Sequence, residues 1–255
     1  MFSPNEPLGM ESSFVAHLQL QHPELMPRHT GERPELVEAT TITALSFADG
    51  VVMAGDRRAT VGNRIASSHM EKVFAADSHS LIGVAGVAGI AVEMARLFAV
   101  ELEHYEKLEG TQLSLLGKAN RLAALIRNQL PQALQGISAV PVFAGVTPDT
   151  SDAKIFTYDI TGGRFEERHW CSIGSGSPYA STTLKRLWRA DATQDEALDA
   201  SIQALIDAAD ADAGTAGPDP RRELYPTVYV VTGDGVRKIE ETMIAQRVAG
   251  LEGEH

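Results

Sequence analysis

The sequence predicts an α+β fold, a four-layer α-β-β-α sandwich of two antiparallel sheets enclosed by helices. Three observations lead to this prediction. Short runs rich in β-branched residues lie on both sides of two helical regions. The helices come in pairs, whereas a doubly wound parallel sheet alternates single helices with single strands. Both halves of the chain follow the same order, strands first and a helix pair after them.

The first half contains four predicted strands and one helix pair. The strands are 41–47, 51–54, 73–75 and 81–84. The Asp49-Gly50 pair between the first two favours a hairpin turn. Apolar residues at spacings of three and four from Met94 to Leu108 then predict an amphipathic helix that ends at Gly110. A second helix follows over 115–126, with Pro131 near its end.

The second half repeats this order. Strands are predicted at 140–146, 154–160 and 164–169, with a turn at 161–163. Two helices follow, over 178–188 and 195–211. A final hairpin pairs 227–232 with 236–239 about a Gly-Asp-Gly turn. Together the two halves form one predicted domain, residues 40–255.

The first 39 residues differ in composition from the rest. They contain five prolines and scattered charge, with little apolar periodicity, which is typical of a poorly ordered leader. They lack the basic start and apolar middle of a secretory signal peptide. We therefore expect 1–39 to be a segment separate from the folded domain.

Composition excludes several classes of function. The net charge of −12 argues against sequence-independent binding to nucleic acid or to an anionic membrane surface. The sequence has no run of about 20 apolar residues, the length needed to span a membrane. The single cysteine, Cys171, cannot form an internal disulfide, so a cytoplasmic location is the simplest expectation, and its apolar surroundings predict a core residue. No His-Glu-x-x-His pattern occurs, so no metal site is predicted.

Several segments spread over the chain resemble the catalytic β subunits of proteasomes. They are Thr40-Thr41-Ile42-Thr43, Gly55-Asp56-Arg57-Arg58-Ala59-Thr60, Lys72, Ala85-Gly86, Gly174-Ser175-Gly176-Ser177 and Asp212-Ala213-Gly214-Thr215. The run at 99–108 is similar to actinobacterial members in particular. The resemblance covers essentially everything after residue 39. It implies the N-terminal-nucleophile hydrolase fold and the activity of a threonine endopeptidase.

The residues themselves agree with this chemistry. A threonine hydroxyl is a weak nucleophile, but an N-terminal threonine carries a base in its own α-amine, whose reference pKa is about 7.7–8.0. A nearby Lys72 ammonium would lower that pKa, and Asp56 would orient Lys72. Taken singly, Thr40 reads as a strand residue, Asp56 as a turn residue and Lys72 as a solvated charge. Together they predict that Thr40 is the nucleophile after autocatalytic cleavage between Ala39 and Thr40.

The resemblance assigns four further residues to the site. Gly86 would donate its amide to the oxyanion, although a tight turn also explains this glycine. Ser175 would hydrogen-bond the terminal amine; the alternative for its glycine-flanked loop is a phosphate site at a helix start. Asp212 and Thr215 would support Thr40 and the amine. Thr215, Ala216 and Ala39 depart from the commoner serine, glycine and glycine of the family.

The resemblance also implies a substrate site. The substrate strand would lie beside the backbone of Thr60 and Gly86. The side chains that would line the first specificity pocket are neutral and apolar: Ala59, Met70, Phe74, Val84, Ala88 and Val92. We therefore expect a hydrophobic residue before the cut.

The implied partners are other proteasome subunits. The family forms two inner heptameric β rings between two α-subunit rings, a four-ring core particle with an ATPase ring regulator at its ends, which degrades protein substrates. No cofactor is implied. Two alternatives stay open: a subunit of the two-ring bacterial protease of the same superfamily, and an inactive structural ring subunit. The length after Thr40 and the Gly55–Arg58 segment favour the proteasome over the first, and the presence of Thr40, Asp56 and Lys72 argues against the second.

Overall fold

The computed structural model describes residues 37–38, 40–61, 64–148, 150 and 152–253. These residues belong to one compact unit, Glu35–His255. Ala39 and most of the predicted leader lie outside the described residues.

The strands of the described residues form two five-stranded sheets and one three-stranded sheet. In chain order they are β1 (Val37–Glu38), β2 (Thr41–Phe47), β3 (Gly50–Gly55), β4 (Ala59–Val61), β5 (Arg64–Ser67), β6 (Val73–Asp77), β7 (Ser80–Gly86), β8 (Ala139–Thr147), β9 (Asp152–Tyr158), β10 (Arg164–Glu167), β11 (Trp170–Gly174), β12 (Thr227–Thr232) and β13 (Gly235–Lys238). Every pairing between them is antiparallel. The sheet orders are β11-β2-β3-β12-β13, β10-β9-β8-β7-β6 and β1-β4-β5.

In the described part of the chain, the helices fall into two pairs and two additional segments. They are α1 (Ala88–Glu109), α2 (Leu115–Asn128), α3 (Leu130–Ala133), α4 (Ser177–Leu187), α5 (Gln194–Ala211) and α6 (Glu241–Gly253). Gly110 ends α1 in the left-handed conformation, as its position after the apolar run predicts. Thr193 and Glu196 form a capping box at the start of α5.

Three layers of apolar side chains separate these elements. Between the two large sheets, Ile42 and Met53 pack with Leu81 and Val142. Outside the first sheet, the other face of β2 and β3 packs on α4, α5 and α6. Outside the second sheet, Ile82 and its neighbours pack on α1 and α2. Because alternate residues of a strand point to opposite faces, each sheet supplies both its inner and its outer layer. The predicted four-layer α-β-β-α sandwich of two antiparallel sheets is confirmed.

Most predicted elements are present, with ends that move by a few residues. The predicted strand 164–169 is shorter, since β10 ends at Glu167 and the chain bends before β11 begins. The sequence predicts neither the β4–β5 hairpin nor α6. Cys171 lies in β11, is buried, and has its pKa raised by burial, which fits a core residue rather than a nucleophile. No helix in the described part of the chain is long and apolar enough to cross a membrane.

Candidate active site

The carboxylate of Asp56 is the centre of the candidate site. Asp56 follows the last residue of β3 and is 1% exposed. Its Oδ1 accepts hydrogen bonds from Lys72 Nζ at 2.7 Å and from the Thr41 amide at 2.8 Å. Its Oδ2 accepts from the amides of Arg58 at 2.9 Å and Ala216 at 3.0 Å. Four donors on one buried carboxylate join three segments that are distant in sequence.

Lys72 is the other half of a fully buried ion pair. It precedes β6, and its side chain and that of Asp56 are both 0% exposed. Its ammonium also donates to the Arg58 carbonyl at 2.5 Å. Burial lowers the pKa of Lys72, the Asp56 carboxylate opposes that shift, and the nearby Arg58 charge adds to it. The Lys72 ammonium would disfavour a second positive charge close to it. This is the effect by which Lys72 is predicted to lower the pKa of the Thr40 amine.

Thr40 lies beside the loop that follows β11. It is 4% exposed, and its carbonyl accepts the Ser175 amide at 3.0 Å. The register that pairs Gly174 with Thr41 sets this contact. Gly174 has φ +97°, and a Cβ there would lie 1.8 Å from the Thr40 carbonyl oxygen. The close approach therefore requires glycine.

Asp212 connects the loop after β11 with the loop after α5. Its Oδ2 accepts the hydroxyls of Ser175 and Thr215, each at 2.6 Å, and its Oδ1 accepts the Gly214 amide at 3.1 Å. Burial opposes ionisation of Asp212, but the hydrogen bonds from Ser175, Thr215 and Gly214, with the Arg58 charge, outweigh it and lower the pKa. The turn thus forms with threonine and alanine at positions 215 and 216.

Gly86 ends β7 on the other large sheet. Its φ is +120°, and a Cβ would lie 2.3 Å from the Ser138 carbonyl oxygen, so the backbone requires glycine here. This geometry agrees with the turn explanation of the glycine. Two residues earlier, the Val84 amide donates to the Lys72 carbonyl at 3.0 Å, which links the end of β7 to Lys72. The oxyanion role of Gly86 stays a prediction.

The predicted substrate-site residues come from four elements and one loop. Ala59 and Thr60 lie in β4, Met70 in the loop before Lys72, Phe74 in β6, Val84 in β7, and Ala88 and Val92 on successive turns of α1. Ala59 and Val84 are buried, and Phe74 packs against the core outside the second sheet. That these side chains enclose a specificity pocket stays a prediction.

Two residues that join the parts of the site carry no predicted role. Arg58 Nη1 donates to the carbonyls of Ala213 at 2.9 Å and Thr215 at 3.1 Å, which holds the Asp212 loop against β3. Thr41 binds Asp56 through its amide and Thr215 through its hydroxyl. Both residues belong to segments that carry the family resemblance, and each lies beside a predicted site residue, but the sequence assigns neither of them a role. In the described ranges, no group of three or more His, Cys, Asp or Glu residues could hold a metal ion.

Comparisons with known proteins show the family of this chain. Residues 37–218 match the family described as "Proteasome subunit". A Streptomyces griseus protein named "Proteasome subunit beta" is 51% identical over 90% of this chain and 84% of its own length. Proteins of the same name from Acidothermus cellulolyticus and Frankia casuarinae are each 50% identical, over 95% and 94% of this chain and 89% of their own lengths. The family match covers well over half of the chain, and the chain belongs to the proteasome subunit family.

Proposed function

We propose that Thr40 is the nucleophile of this proteasome β subunit, after cleavage before Thr40 has made it the N-terminus. The activity is that of a threonine endopeptidase, which membership among the β subunits implies. The observation that carries the assignment is the buried Asp56–Lys72 ion pair, whose carboxylate also holds the amide of Thr41, the residue directly after Thr40. Burying the two charges costs desolvation free energy, and ionisable groups held in such pairs cluster at functional sites.

The reaction follows from these groups. The free α-amine of Thr40 takes the proton of its own hydroxyl, and Oγ attacks the carbonyl carbon of the scissile peptide bond. The Gly86 amide stabilises the oxyanion that forms. The ammonium then protonates the departing amine, which leaves an ester on Thr40. Water, deprotonated by the same amine, attacks the ester and releases the new carboxyl end and the Thr40 hydroxyl.

Lys72 and Asp212 would each act on the amine in a different way. The positive charge of Lys72 disfavours protonation of the amine, so that the amine is a base at neutral pH. Ser175 donates its proton to Asp212, which leaves its oxygen lone pairs to accept from the amine. This arrangement would direct the amine lone pair toward the Thr40 hydroxyl.

The end of the leader supports self-cleavage. Val37 and Glu38 form strand β1, which pairs antiparallel with β4 in the register Val37–Val61 and Glu38–Thr60. The family resemblance gives the backbone of Thr60 to the substrate strand. On this assignment the residues just before the proposed cut would occupy the place of a substrate strand. The Thr40 hydroxyl would attack the Ala39 carbonyl, which frees the Thr40 amine and forms an ester that water opens.

Intact-mass measurement on assembled, active particles tests this proposal. We expect a chain of 216 residues that begins Thr-Thr-Ile-Thr, because 39 of the 255 residues are removed. Full peptidase activity from a chain that still carries Met1 to Ala39 would contradict the mechanism, because the catalytic amine would then be an amide.

Substrate preference tests the proposed pocket. Fluorogenic peptides that differ only in the residue before the cut should be cleaved faster with Leu, Phe or Tyr than with Arg or Asp. Burying an unpaired charge among Ala59, Val84 and Phe74 would cost several kcal/mol. A kcat/KM that is higher for the Arg peptide than for the Leu peptide would show that other residues form the pocket.

Membership of the family implies assembly into proteasome particles with other subunits. We further propose that the partners are α subunits and further copies of this β subunit, in heptameric rings of a four-ring core, with an ATPase ring regulator, in the cytoplasm. The names of the relatives favour this assembly over the two-ring protease. The contact between Asp56 and Lys72 favours an active subunit over a structural one.

A further inference from the structure

Thr41 connects the two aspartates of the site: it binds Asp56 directly and reaches Asp212 through Thr215. It is 0% exposed and is the first residue of β2. Its amide donates to Asp56, while its hydroxyl lies 2.6 Å from the Thr215 hydroxyl and accepts the Gly176 amide at 2.9 Å. One side chain therefore touches both the loop that carries Ser175 and the loop that carries Asp212.

The direction of each hydrogen bond in this series follows from its two ends. The ionised carboxylate of Asp212 can only accept, so the single hydroxyl proton of Thr215 points to Asp212 Oδ2. The Thr215 oxygen must then accept from Thr41, whose own proton is used in that bond. The Thr41 oxygen accepts in turn from the Gly176 amide, which has no other role than to donate. Each hydroxyl thus has one orientation.

Gly176 shows how closely the loop is built around this series. A Cβ at position 176 would lie 2.5 Å from Thr41 Oγ1 and 2.6 Å from Thr215 Oγ1. Real Cβ atoms are not found at such distances, so only glycine lets the two hydroxyls meet beneath the Ser175 loop. The contact between the Thr41 and Thr215 hydroxyls therefore depends on how the segments around residues 41, 176 and 215 pack together, and not on the rotamer of one side chain.

We propose that the Thr41 hydroxyl is a positioning group for the base of the reaction. By holding Thr215, it fixes the Asp212 carboxylate, and Asp212 takes the Ser175 proton and leaves the Ser175 oxygen to face the amine. This inference rests on the proposed function. Without the hydroxyl, the Gly176 amide and the Thr215 oxygen lose their partner in a buried place, and the three loops can relax.

The test compares two substitutions that separate the hydroxyl from the methyl group. Thr41→Val keeps the shape and removes the hydroxyl, whereas Thr41→Ser keeps the hydroxyl and removes the methyl group. In assembled particles we expect Thr41→Val to lower kcat by about 10- to 100-fold, the size of a broken buried hydrogen bond, with little change in KM. Thr41→Ser should restore most of kcat.

Thr43→Val is the matched control. Thr43 lies two residues further along the same face of β2 and is also 0% exposed. Within the described residues, its hydroxyl has one long contact, of 3.5 Å to the Ala54 carbonyl. The same substitution there should leave kcat within about threefold of the unmutated particle. If the Thr41 hydroxyl acted on stability alone, the two valine variants would have similar kcat values in assembled particles.

The outcomes separate this inference from the proposed function. Peptide hydrolysis that does not depend on Thr40 would refute the proposed function. Thr40-dependent hydrolysis with kcat of Thr41→Val near that of Thr43→Val would refute the positioning role. If Thr41→Val does not assemble, Thr41→Ser and Thr41→Ala decide: loss of kcat only in alanine supports the role of the hydroxyl, and equal loss in both overturns it.

Discussion

Particles that carry Thr40→Ala are expected to hydrolyse no peptide and to keep the full chain of 255 residues. Removal of the nucleophile should lower kcat by about 10⁴-fold or more, since the remaining groups can only bind and polarise the substrate. The same hydroxyl would cut the leader, so processing should fail together with turnover. Peptidase assay and intact mass on one sample measure both effects.

Thr40→Ser is the control for this result, because alanine removes two functions at once. Serine keeps a hydroxyl and, after cleavage, an α-amine, so we expect processed chains with reduced but clear activity. Thr40→Ala particles that are inactive but fully processed would mean that another group cuts the leader. Near-normal turnover by assembled Thr40→Ala particles would refute the nucleophile assignment.

Periodicity in the sequence predicts the layers of this fold because each layer depends on local pattern. The predicted strands 41–47 and 227–232 coincide with β2 and β12, whose apolar residues fill two core layers at once. Gly110 ends α1 as predicted because only its own backbone conformation is required.

The elements that the sequence does not predict depend on distant contacts. Helix α6 presents Ile244 and Val248 to the core outside the first sheet, and its Arg247 pairs with Asp199 of α5 at 2.7 Å. Two buried residues on one face give a weak local signal. The three-residue strand β4 is likewise short, and its partner β1 belongs to the leader.

The candidate site also depends on contacts between residues that are distant in sequence, and local pattern does not predict such contacts. Asp56 and Lys72 are predicted through the family resemblance, and Asp212 lies 156 residues beyond Asp56 in the sequence. Asp56 and the Ser175 loop come together because β2 pairs with both β3 and β11, and Ser175 in turn contacts Asp212, an arrangement that depends on the whole sheet. A threonine at the start of a strand is ordinary. Thr41 belongs to a segment that carries the resemblance, but the contacts that suggest a role for it are known only once the Gly174–Thr41 register is known.

Replacing Lys72 with methionine is expected to lower kcat by about 10²- to 10⁴-fold, the usual contribution of a group that serves acid–base chemistry. Methionine retains much of the volume of the lysine stem and removes the charge. The Thr40 amine would then be protonated more easily, and Asp56 would lose one of its four donors. Active-site titration, peptide hydrolysis and intact mass should all show slower chemistry in Lys72→Met particles.

Lys118→Met separates catalysis from the cost of breaking a buried ion pair. Lys118 is 3% exposed and pairs with Asp77 at 2.6 Å, on α2 and β6 rather than in the site. Both variants leave a carboxylate without its lysine, so both should lower the thermal unfolding midpoint. Only Lys72→Met should lower kcat in particles that assemble. Equal kcat in the two variants would contradict the role of Lys72.

Asp56→Asn adds a test whose sign follows from the electrostatics of the pair. Burial lowers the pKa of Lys72, and the Asp56 charge raises it in opposition. Removing that charge therefore lowers the pKa of Lys72 further, so Lys72 loses its proton at a lower pH. If catalysis needs the positive charge of Lys72, the alkaline limb of the kcat/KM profile must move to lower pH in Asp56→Asn. An alkaline limb that stays in place or moves to higher pH would show that the charge of Lys72 does not control the base. The substitution removes the negative charge beside the ammonium, so it lowers the pKa of Lys72.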